Sequence, residues 1–217
     1  MPRHLPMFPL GTVLLPHMVL PLHIFEPRYR VLMHDVLDGD REFGVVLITR
    51  GHEVGGGDHR TAVGTVARLV KAEETEDGRW LAISVGTERF TVTDWLEDAP
   101  YPHAEVEALP DEPCPRDDVA LRTAVEPLGA SLRRVLGLSL ELGNDGVPPD
   151  VELADDPHEA AWQIAVFAPL TPFDAQQVLE LPHTAARLDA LAELLDHHEA
   201  LLRFHLEGGT DPPAVDG

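Results

Sequence analysis

The chain has 217 residues and a formal net charge of −22 at pH 7. This length accommodates one large domain or two small ones, each able to bury an apolar core. Because a strongly negative chain repels phosphate backbones and anionic lipid surfaces, we expect neither nucleic acid nor a membrane as its partner.

Residues 5–25 form the most apolar stretch of the chain and are nearly free of charge. A membrane span is a poor interpretation of this stretch because Pro6, Pro9, Pro16 and Pro21 interrupt it. A proline inside a helix costs about 3 kcal/mol, so a continuous apolar helix is not expected. Short strands with prolines at their ends fit the pattern better.

A short helix and the first central strand follow this stretch. Pro27 suits the first turn of a helix, and apolar residues at helical spacing continue that helix until Gly39. Residues 43–49 are apolar on both faces, which predicts a strand buried on both sides. The glycine-rich segment at residues 51–60 predicts an exposed loop.

The remaining strands of the first half form hairpins. Residues 61–74 and 80–85 flank a Glu-Asp-Gly turn and predict a β-hairpin. Residues 86–88 predict a second turn before an alternating strand at residues 89–95, and residues 104–109 supply a last strand. Six or seven strands with one early helix favour a closed or semi-closed β-barrel over a βαβ sheet.

Helices are predicted after residues 110–115, where three prolines halt regular structure. Beyond them the spacing of apolar residues changes from two to about 3.6 residues. Pro127 is expected to kink or split the first of these helices. Capping residues predict helix starts at Asp117 or Asp118, Asp156, Thr171 and Thr184.

These patterns predict an α+β fold in three consecutive parts. Residues 1–112 form a β-barrel domain, and residues 113–207 form an α-helical bundle. Residues 208–217 are polar and glycine- or proline-rich, so we expect a disordered tail there.

No catalytic or metal-binding set emerges from the polar residues. Each His-Glu pair lacks the second histidine of a zinc-protease motif. Ser84 lies within an apolar strand and Cys114 lies between two prolines without a nearby cation, so neither resembles an activated nucleophile. Lys71, the only lysine, does not belong to a phosphate-binding loop. We therefore predict no metal, no cofactor and no enzymatic activity.

Four blocks of the chain together resemble a known family. They are residues 5–16, 20–30, 43–47 and 63–67, which read LPMFPLGTVLLP, LPLHIFEPRYR, FGVVL and VGTVA. Their order and spacing resemble the amino-terminal, substrate-binding domain of Lon proteases. The resemblance is strong to about residue 109 and weaker in the helical remainder. It implies a PUA-like β-barrel joined to a helical bundle, and a role in binding polypeptides.

The resemblance does not extend to catalysis. A full Lon protease also carries an AAA+ ATPase module and a peptidase domain with a serine–lysine dyad. This chain shows no Walker A motif, and its sole lysine lies in the barrel region. We therefore interpret it as a stand-alone bacterial protein similar to the Lon amino-terminal domain, a relative of the peptidase S16 family that is not itself a peptidase.

The signature stretch at residues 20–30 supplies the candidate polypeptide-binding residues. They are Pro21, Leu22, Phe25, Glu26, Arg28 and Tyr29. A structural interpretation pairs Glu26 with Arg30 along the helix and packs Tyr29 onto the barrel. A functional interpretation makes the apolar members the border of a groove that accepts extended or unfolded segments. The sequence leaves both interpretations open.

The favoured function is non-catalytic binding of unfolded or extended polypeptide, or of one specific protein partner, as an adaptor or holdase. One alternative is a small-ligand or metal-binding protein or an enzyme of unknown class. Another is an RNA-binding module by fold analogy, which the net charge disfavours. The oligomeric state stays open, with a homodimer as one option. Because Cys114 is the single cysteine and no cleavable leader is visible, we expect a cytoplasmic location.

Overall fold

The computed structural model describes residues 2–50, 59–144 and 146–208. Within them the chain contains six strands and five helices, which confirms the predicted α+β class. The strands are β1 (Arg3–Leu10), β2 (Val19–Ile24), β3 (Glu42–Arg50), β4 (His59–Glu74), β5 (Trp80–Trp95) and β6 (His103–Ala108). The helices are α1 (Pro27–Asp38), α2 (Asp118–Glu141), α3 (Pro157–Phe167), α4 (Pro172–Glu180) and α5 (Thr184–Leu206).

Two compact units make up the chain. The first comprises Met1–Glu112 with Thr171–Glu180, and the second comprises Pro113–Leu170 with Leu181–Gly217. The first unit therefore holds the strands with α1 and α4, and the second holds α2, α3 and α5. The exposed loop predicted at residues 51–60 lies outside the described residues except for His59 and Arg60, which belong to β4 and not to a loop. The disordered tail predicted at residues 208–217 lies outside the described residues except for Gly208.

The strands of the first unit close into a barrel. The sheet order is β2-β5-β4-β3-β1-β6, and β6 also pairs with β5. This extra pairing closes a ring of β1, β3, β4, β5 and β6, while β2 lies outside the ring along the first half of β5. The predicted β-barrel of six or seven strands with one early helix is thus confirmed, and its PUA-like character stays a prediction.

Two apolar cores stabilise this unit, one on each face of its central strands. The core inside the ring includes Leu5, Met7, Val46, Val66, Phe90, Ala104 and Val106. The second core lies on the opposite face, where α1 packs together with β2. Alternate residues of β3 enter different cores, since Val45 belongs to the second and Val46 to the first. The prediction of a strand buried on both sides is therefore confirmed.

Strand β5 runs without interruption through residues 86–88, so the turn predicted there is wrong. The strand changes partner at this point instead, because its first half pairs with β2 and its second half with β6. Gly86 accepts a backbone hydrogen bond from His17 at 2.8 Å and donates one to Met18 at 2.9 Å. The glycine serves a close approach, since a Cβ there would lie 2.2 Å from the carbonyl oxygen of Leu15.

Helix starts agree with the capping patterns except at α5. The Asp117 carboxylate caps α2 by accepting a hydrogen bond from the backbone N–H of Ala120 at 2.9 Å. Helix α2 then continues through Pro127 as a single element, so the helix is not split there, and a kink at Pro127 stays a prediction. Asp156 caps α3 by accepting from the backbone N–H of His158 at 2.7 Å.

The sequence predicted Thr184 as the cap of α5, but the residue that caps this helix is His183. The Nδ1 atom of His183 accepts a hydrogen bond from the backbone N–H of Ala186 at 3.1 Å. Thr184 is fully buried, and its hydroxyl accepts a hydrogen bond from the Arg187 guanidinium at 3.0 Å. A hydroxyl engaged in the interior does not turn back to the helix start, so the neighbouring imidazole takes that role.

Helix α4 belongs to the first unit, which differs from the predicted helical part over residues 113–207. The side-chain amide of Gln176 donates a hydrogen bond to the carbonyl oxygen of Val63 at 3.1 Å. The buried guanidinium of Arg89 donates to the carbonyl oxygen of Leu179 at 2.6 Å. Both bonds hold α4 against the sheet. The division into domains at residues 112–113 otherwise stays a prediction.

Three aromatic rings lie close together where β1 pairs with β6, and two of them are stacked. The imidazoles of His4 and His103 lie parallel, 4.9 Å apart, and the ring of Tyr101 lies 4.4 Å from that of His103. The Tyr101 hydroxyl donates a hydrogen bond to Asp35 at 2.6 Å. Burial lowers the pKa of His103, and the neighbouring His4 lowers it further, while the carboxylates of Asp35 and Asp98 oppose the shift.

This histidine makes the stability of the barrel depend on pH. Because His103 binds a proton less readily in the folded chain than in the unfolded chain, stability falls as the pH drops below about 6.5, the ordinary pKa of histidine. We expect the urea midpoint to fall more between about pH 7.5 and about pH 5.5 in the wild type than in His103→Gln. Tryptophan fluorescence measures both midpoints, and equal falls in the two proteins would contradict the assignment.

Candidate functional site

Strand β2 carries the first part of the signature stretch, which continues into α1, and lies at the end of the sheet order. It pairs with β5 alone among the described strands, in an antiparallel register that sets Pro21 opposite Ile83 and His23 opposite Leu81. Side chains of directly opposed residues project to the same face of an antiparallel pair. The pairing therefore brings side chains of β2 and β5 together on one outward face.

This outward face is apolar and open to solvent. We call Val19, Pro21, Leu81 and Ile83 the outer apolar face. Leu81 is 50% exposed and Ile83 is 41% exposed, although large apolar side chains such as these are usually buried. Single exposed apolar residues are ordinary, but four on paired positions of two neighbouring strands mark an interaction surface.

A groove of about 430 Å³ runs along this face. It is lined by Pro21, Leu22, His23, Lys71, Glu73, Leu81, Ala82 and Ile83. The two charged members come from β4, where Lys71 pairs with Ile83 and Glu73 with Leu81 in register. The groove thus combines an apolar floor with charged side chains at one border.

A second hollow, of about 120 Å³, lies along β2 and the start of α1. We call it the edge hollow. It is lined by Phe8, Leu10, Leu22, His23, Ile24, Phe25, Glu26 and Tyr29. Leu22 and His23 line both the groove and the edge hollow, so the two are adjacent along β2.

The structure brings most of the sequence-predicted site residues together. Leu22, Phe25, Glu26 and Tyr29 line the edge hollow, and Pro21 lines the groove. Phe25 is 55% exposed, as a contact residue requires. Arg28 lines neither hollow, but its Nε atom donates a hydrogen bond to Glu26 at 3.2 Å.

The structure around the start of α1 decides two points of the structural interpretation, the packing of Tyr29 and the partner of Glu26. Tyr29 is buried, and its ring stacks on that of Phe8 at a centroid distance of 4.1 Å, so it packs onto the barrel as predicted. The carboxylate of Glu26 pairs with Arg28 and not with Arg30, so that predicted partner is wrong. The Arg30 guanidinium lies instead beside Gly78, in the turn after β4.

Sequence reasoning missed the contribution of β5 to this surface. Leu81 and Ile83 belong to a run that is apolar on both faces, which is typical of a strand buried on both sides. The register with β2 leaves one of those faces exposed, and His23 joins it from the opposite strand. The sequence did contain one signal of this exposed face, because the apolar run directly follows the Glu-Asp-Gly turn.

Among the described residues, no His, Cys, Asp and Glu side chains form a group of three or more that could hold a metal ion. Ser84 is fully buried, which confirms the prediction of a hydroxyl packed in the sheet. Within the same residues, no helix combines the length and the apolar character that crossing a membrane requires.

Comparisons with known proteins agree with the fold and the signature stretch. Residues 4–197 match the family of the ATP-dependent protease La (LON) substrate-binding domain. The chain belongs to this family. The resemblance inferred from the four sequence blocks is therefore confirmed.

The Lon relatives are much longer than the matched region. Lon protease 2 of Myxococcus xanthus is 30% identical over 209 residues, which cover 94% of this chain and 24% of the relative. Lon protease of Anaeromyxobacter dehalogenans is 31% identical with the same coverage. The chain thus spans about a quarter of the length of these relatives.

Solved structures support the same Lon fold. The crystal structure of a Lon N-terminal domain protein from Xanthomonas campestris has a TM-score of 0.63 and 28% sequence identity. It covers 88% of this chain and 98% of the other. The N-terminal domain of Lon protease from the Mycobacterium avium complex shares the fold at a TM-score of 0.60 and 17% identity, covering 90% and 100% of the two chains.

Proposed function

We propose that this Lon substrate-binding domain binds extended polypeptide segments through the outer apolar face and the edge hollow, without catalysing a reaction on them. The observation that carries the proposal is the pairing of exposed apolar side chains from β2 and β5 beside an edge strand. The family match supports it, because the family is described as substrate-binding.

Strand β2 suits an extended ligand for a geometric reason. An edge strand presents a row of backbone N–H and C=O groups to a peptide that lies alongside it, and neighbouring pockets receive alternate side chains. The edge hollow lies along β2 and is bordered by the exposed ring of Phe25. Burying one such side chain contributes about 1.5–3 kcal/mol, so a few contacts give useful affinity without charge pairing.

The finer role, adaptor or holdase, follows from how the bound polypeptide behaves. A holdase keeps an aggregation-prone protein soluble at near-equal stoichiometry, whereas an adaptor binds one partner without that effect. Light scattering of a heat-denatured enzyme, with and without this chain, separates the two roles. In either role the polypeptide remains intact on a denaturing gel after incubation with ATP and Mg²⁺.

The binding surface is tested with substitutions at exposed positions. We expect Leu81→Asp and Ile83→Asp each to weaken binding of a dye-labelled, permanently unfolded polypeptide by about tenfold or more, because a carboxylate replaces apolar area that the ligand covers. Phe25→Ala is expected to weaken it about threefold to tenfold. Fluorescence anisotropy measures the dissociation constants.

Val119→Asp is the matched control, because Val119 is also exposed but lies on α2 in the second unit. It should leave the affinity unchanged. Tyr29→Ala is unsuited to this test, since it removes a buried ring from the core. The proposal fails if the wild type shows no saturable binding, or if Leu81→Asp and Ile83→Asp bind as tightly as Val119→Asp.

A further inference from the structure

Strand β2 has a proline near its middle, and this proline reveals which main-chain groups of the strand point outward. Pro21 lies directly opposite Ile83 in the antiparallel register with β5. Residues of an antiparallel ladder alternate between pairs that exchange two hydrogen bonds and pairs that exchange none. Because proline has no N–H group, the pair of Pro21 and Ile83 is one that exchanges none. The carbonyl group of Pro21 therefore points away from β5.

The same alternation assigns the residues on either side of Pro21. Val19 and His23 each lie two positions away, so their main-chain groups also point away from β5. A bond just before the strand agrees with this assignment, since the carbonyl oxygen of Met18 accepts a hydrogen bond from the N–H of Gly86 at 2.9 Å. No described strand other than β5 pairs with β2, so the outward groups face an open side.

The open side of β2 lacks one hydrogen-bond donor. Val19 and His23 each offer an N–H and a carbonyl group, whereas Pro21 offers a carbonyl group alone. A polypeptide strand that pairs antiparallel with this side satisfies all of these groups, and only its own carbonyl opposite Pro21 has no donor. Alternate side chains of that strand lie level with the outer apolar face, so main-chain bonds and apolar burial act together.

A second copy of the chain fits this open side less well than a ligand strand does. In an edge-to-edge dimer with two-fold symmetry the two β2 strands run antiparallel, and each defect of the edge occurs twice. Any register that overlaps two or more of the outward residues includes Pro21 of both copies. Two donors are then missing and two proline rings project into the interface. Each missing bond weakens association about twofold to tenfold.

We infer that Pro21 is a specificity-determining residue of the β2 edge, which admits one extended strand of another polypeptide and prevents β2 from pairing with a second copy of this chain. This inference rests on the proposed function and adds the residue that distinguishes the ligand from the protein itself. Prolines on edge strands protect other sheets from self-association in the same way. The β2 edge is therefore not the interface of a homodimer, the option that the sequence left open.

Self-association of Pro21→Val tests the protective role. Valine restores the outward N–H group and suits a strand, so we expect the self-association constant to rise about tenfold or more over that of the wild type. Pro21→Ala restores the same N–H group with a smaller side chain and should also associate. Sedimentation equilibrium at several protein concentrations measures the constants. Pro110→Val is the matched control, because Pro110 is exposed and lies outside the strands of the first unit.

A double variant with unchanged composition separates the proline from the apolar surface. Val19→Pro with Pro21→Val exchanges the two residues, so the edge again lacks one outward donor while its apolar side chains stay the same. Proline is tolerated at position 19 for the same reason as at position 21, since neither N–H bonds to β5. We expect this variant to self-associate as weakly as the wild type. Thermal unfolding establishes that it remains folded.

N-methylated peptides test whether the ligand pairs with β2. The probe is a dye-labelled peptide of alternating Thr and Val with two Ser residues at each end. Methyl groups on two adjacent central nitrogens remove one donor from each edge of the peptide strand, whichever edge faces β2. We expect anisotropy to show about tenfold weaker binding than for the same peptide methylated on its terminal Ser residues.

The two measurements can fail independently. The inference is wrong if Pro21→Val and Pro21→Ala associate no more than the wild type and Pro110→Val, or if the exchanged variant associates as strongly as Pro21→Val. It is also wrong if both methylated peptides bind equally, although their binding would leave the proposed function standing. If not even the unmethylated peptide binds saturably, the proposed function itself is wrong.

Discussion

Replacing Gly86 by alanine is expected to destabilise the barrel by about 3 kcal/mol, at the upper end of the usual range for overpacking. An added Cβ would lie 2.2 Å from the carbonyl oxygen and 3.0 Å from the carbonyl carbon of Leu15. These are backbone atoms, so no side-chain rotation relieves the contact. The segment of Leu15 is also tied to β5, since His17 and Met18 exchange backbone hydrogen bonds with Gly86. The added Cβ can therefore be accommodated only if the backbone at residues 15–18 separates from β5 and these hydrogen bonds break.

Urea unfolding followed by tryptophan fluorescence measures the effect, because Trp80 and Trp95 both lie in β5. We expect a lower midpoint with an unchanged slope, which is the signature of a loss in stability. Gly137→Ala is the matched control. Apart from the neighbouring backbone of its own helix, no atom of the described residues lies within 4 Å of the added Cβ. Alanine in place of glycine inside a helix is expected to raise the free energy of unfolding by about 0.5–1 kcal/mol. If Gly86→Ala and Gly137→Ala gave similar urea midpoints, the close approach of Leu15 to Gly86 would not restrict the side chain at position 86.

The same glycine shows what local pattern predicts and what it does not. The Gly86-Thr87-Glu88 sequence has the composition of a turn, and a turn was predicted from it. That prediction is wrong, because β5 runs through these residues as one strand. What happens there is a change of partner strand and a contact with Leu15, 71 positions earlier in the chain. Sequence neighbours carry no information about such a contact.

Helices were predicted more accurately because their signals are local. The apolar spacing of α1 and the cap at Asp117 follow from residues within one or two turns. Thr184 fails as a cap for a tertiary reason, since Arg187 and the surrounding core engage its hydroxyl. The helix was found, and only the residue at its start differed.

The candidate site also contains residues that the sequence identified and residues that it did not. Phe25 and Pro21 were identified from the signature stretch, and both are exposed beside a hollow. Leu81 and Ile83 were not identified, because a strand that is apolar on both faces gives no sign of which face meets solvent. The register between β2 and β5 decides that question, and register depends on the whole barrel.

Arg89→Ala is expected to destabilise the first unit by about 2–3 kcal/mol and to release α4 from the sheet. The Arg89 side chain is 4% exposed, and its two terminal nitrogens donate to the carbonyl oxygen of Leu179 at 2.6 Å and to the carboxylate of Asp111 at 2.7 Å. Alanine leaves that buried carbonyl without this donor. It also leaves a cavity where the guanidinium was packed.

The residues that lose protection from hydrogen exchange show whether Arg89 holds α4 specifically or stabilises the first unit as a whole. Hydrogen exchange followed by mass spectrometry should show faster exchange in residues 171–180 of Arg89→Ala, with a smaller change in β3 and β4. Arg89→Lys keeps the charge but offers a single compact donor in place of a fork, so it should restore only part of the protection. Arg122→Ala is the control, because that guanidinium is mostly exposed and lies 3.8 Å from Asp118, a pair worth about 0–1 kcal/mol. If residues 171–180 stayed as protected in Arg89→Ala as in Arg122→Ala, the contacts of Gln176 and the apolar face of α4 would suffice to hold the helix.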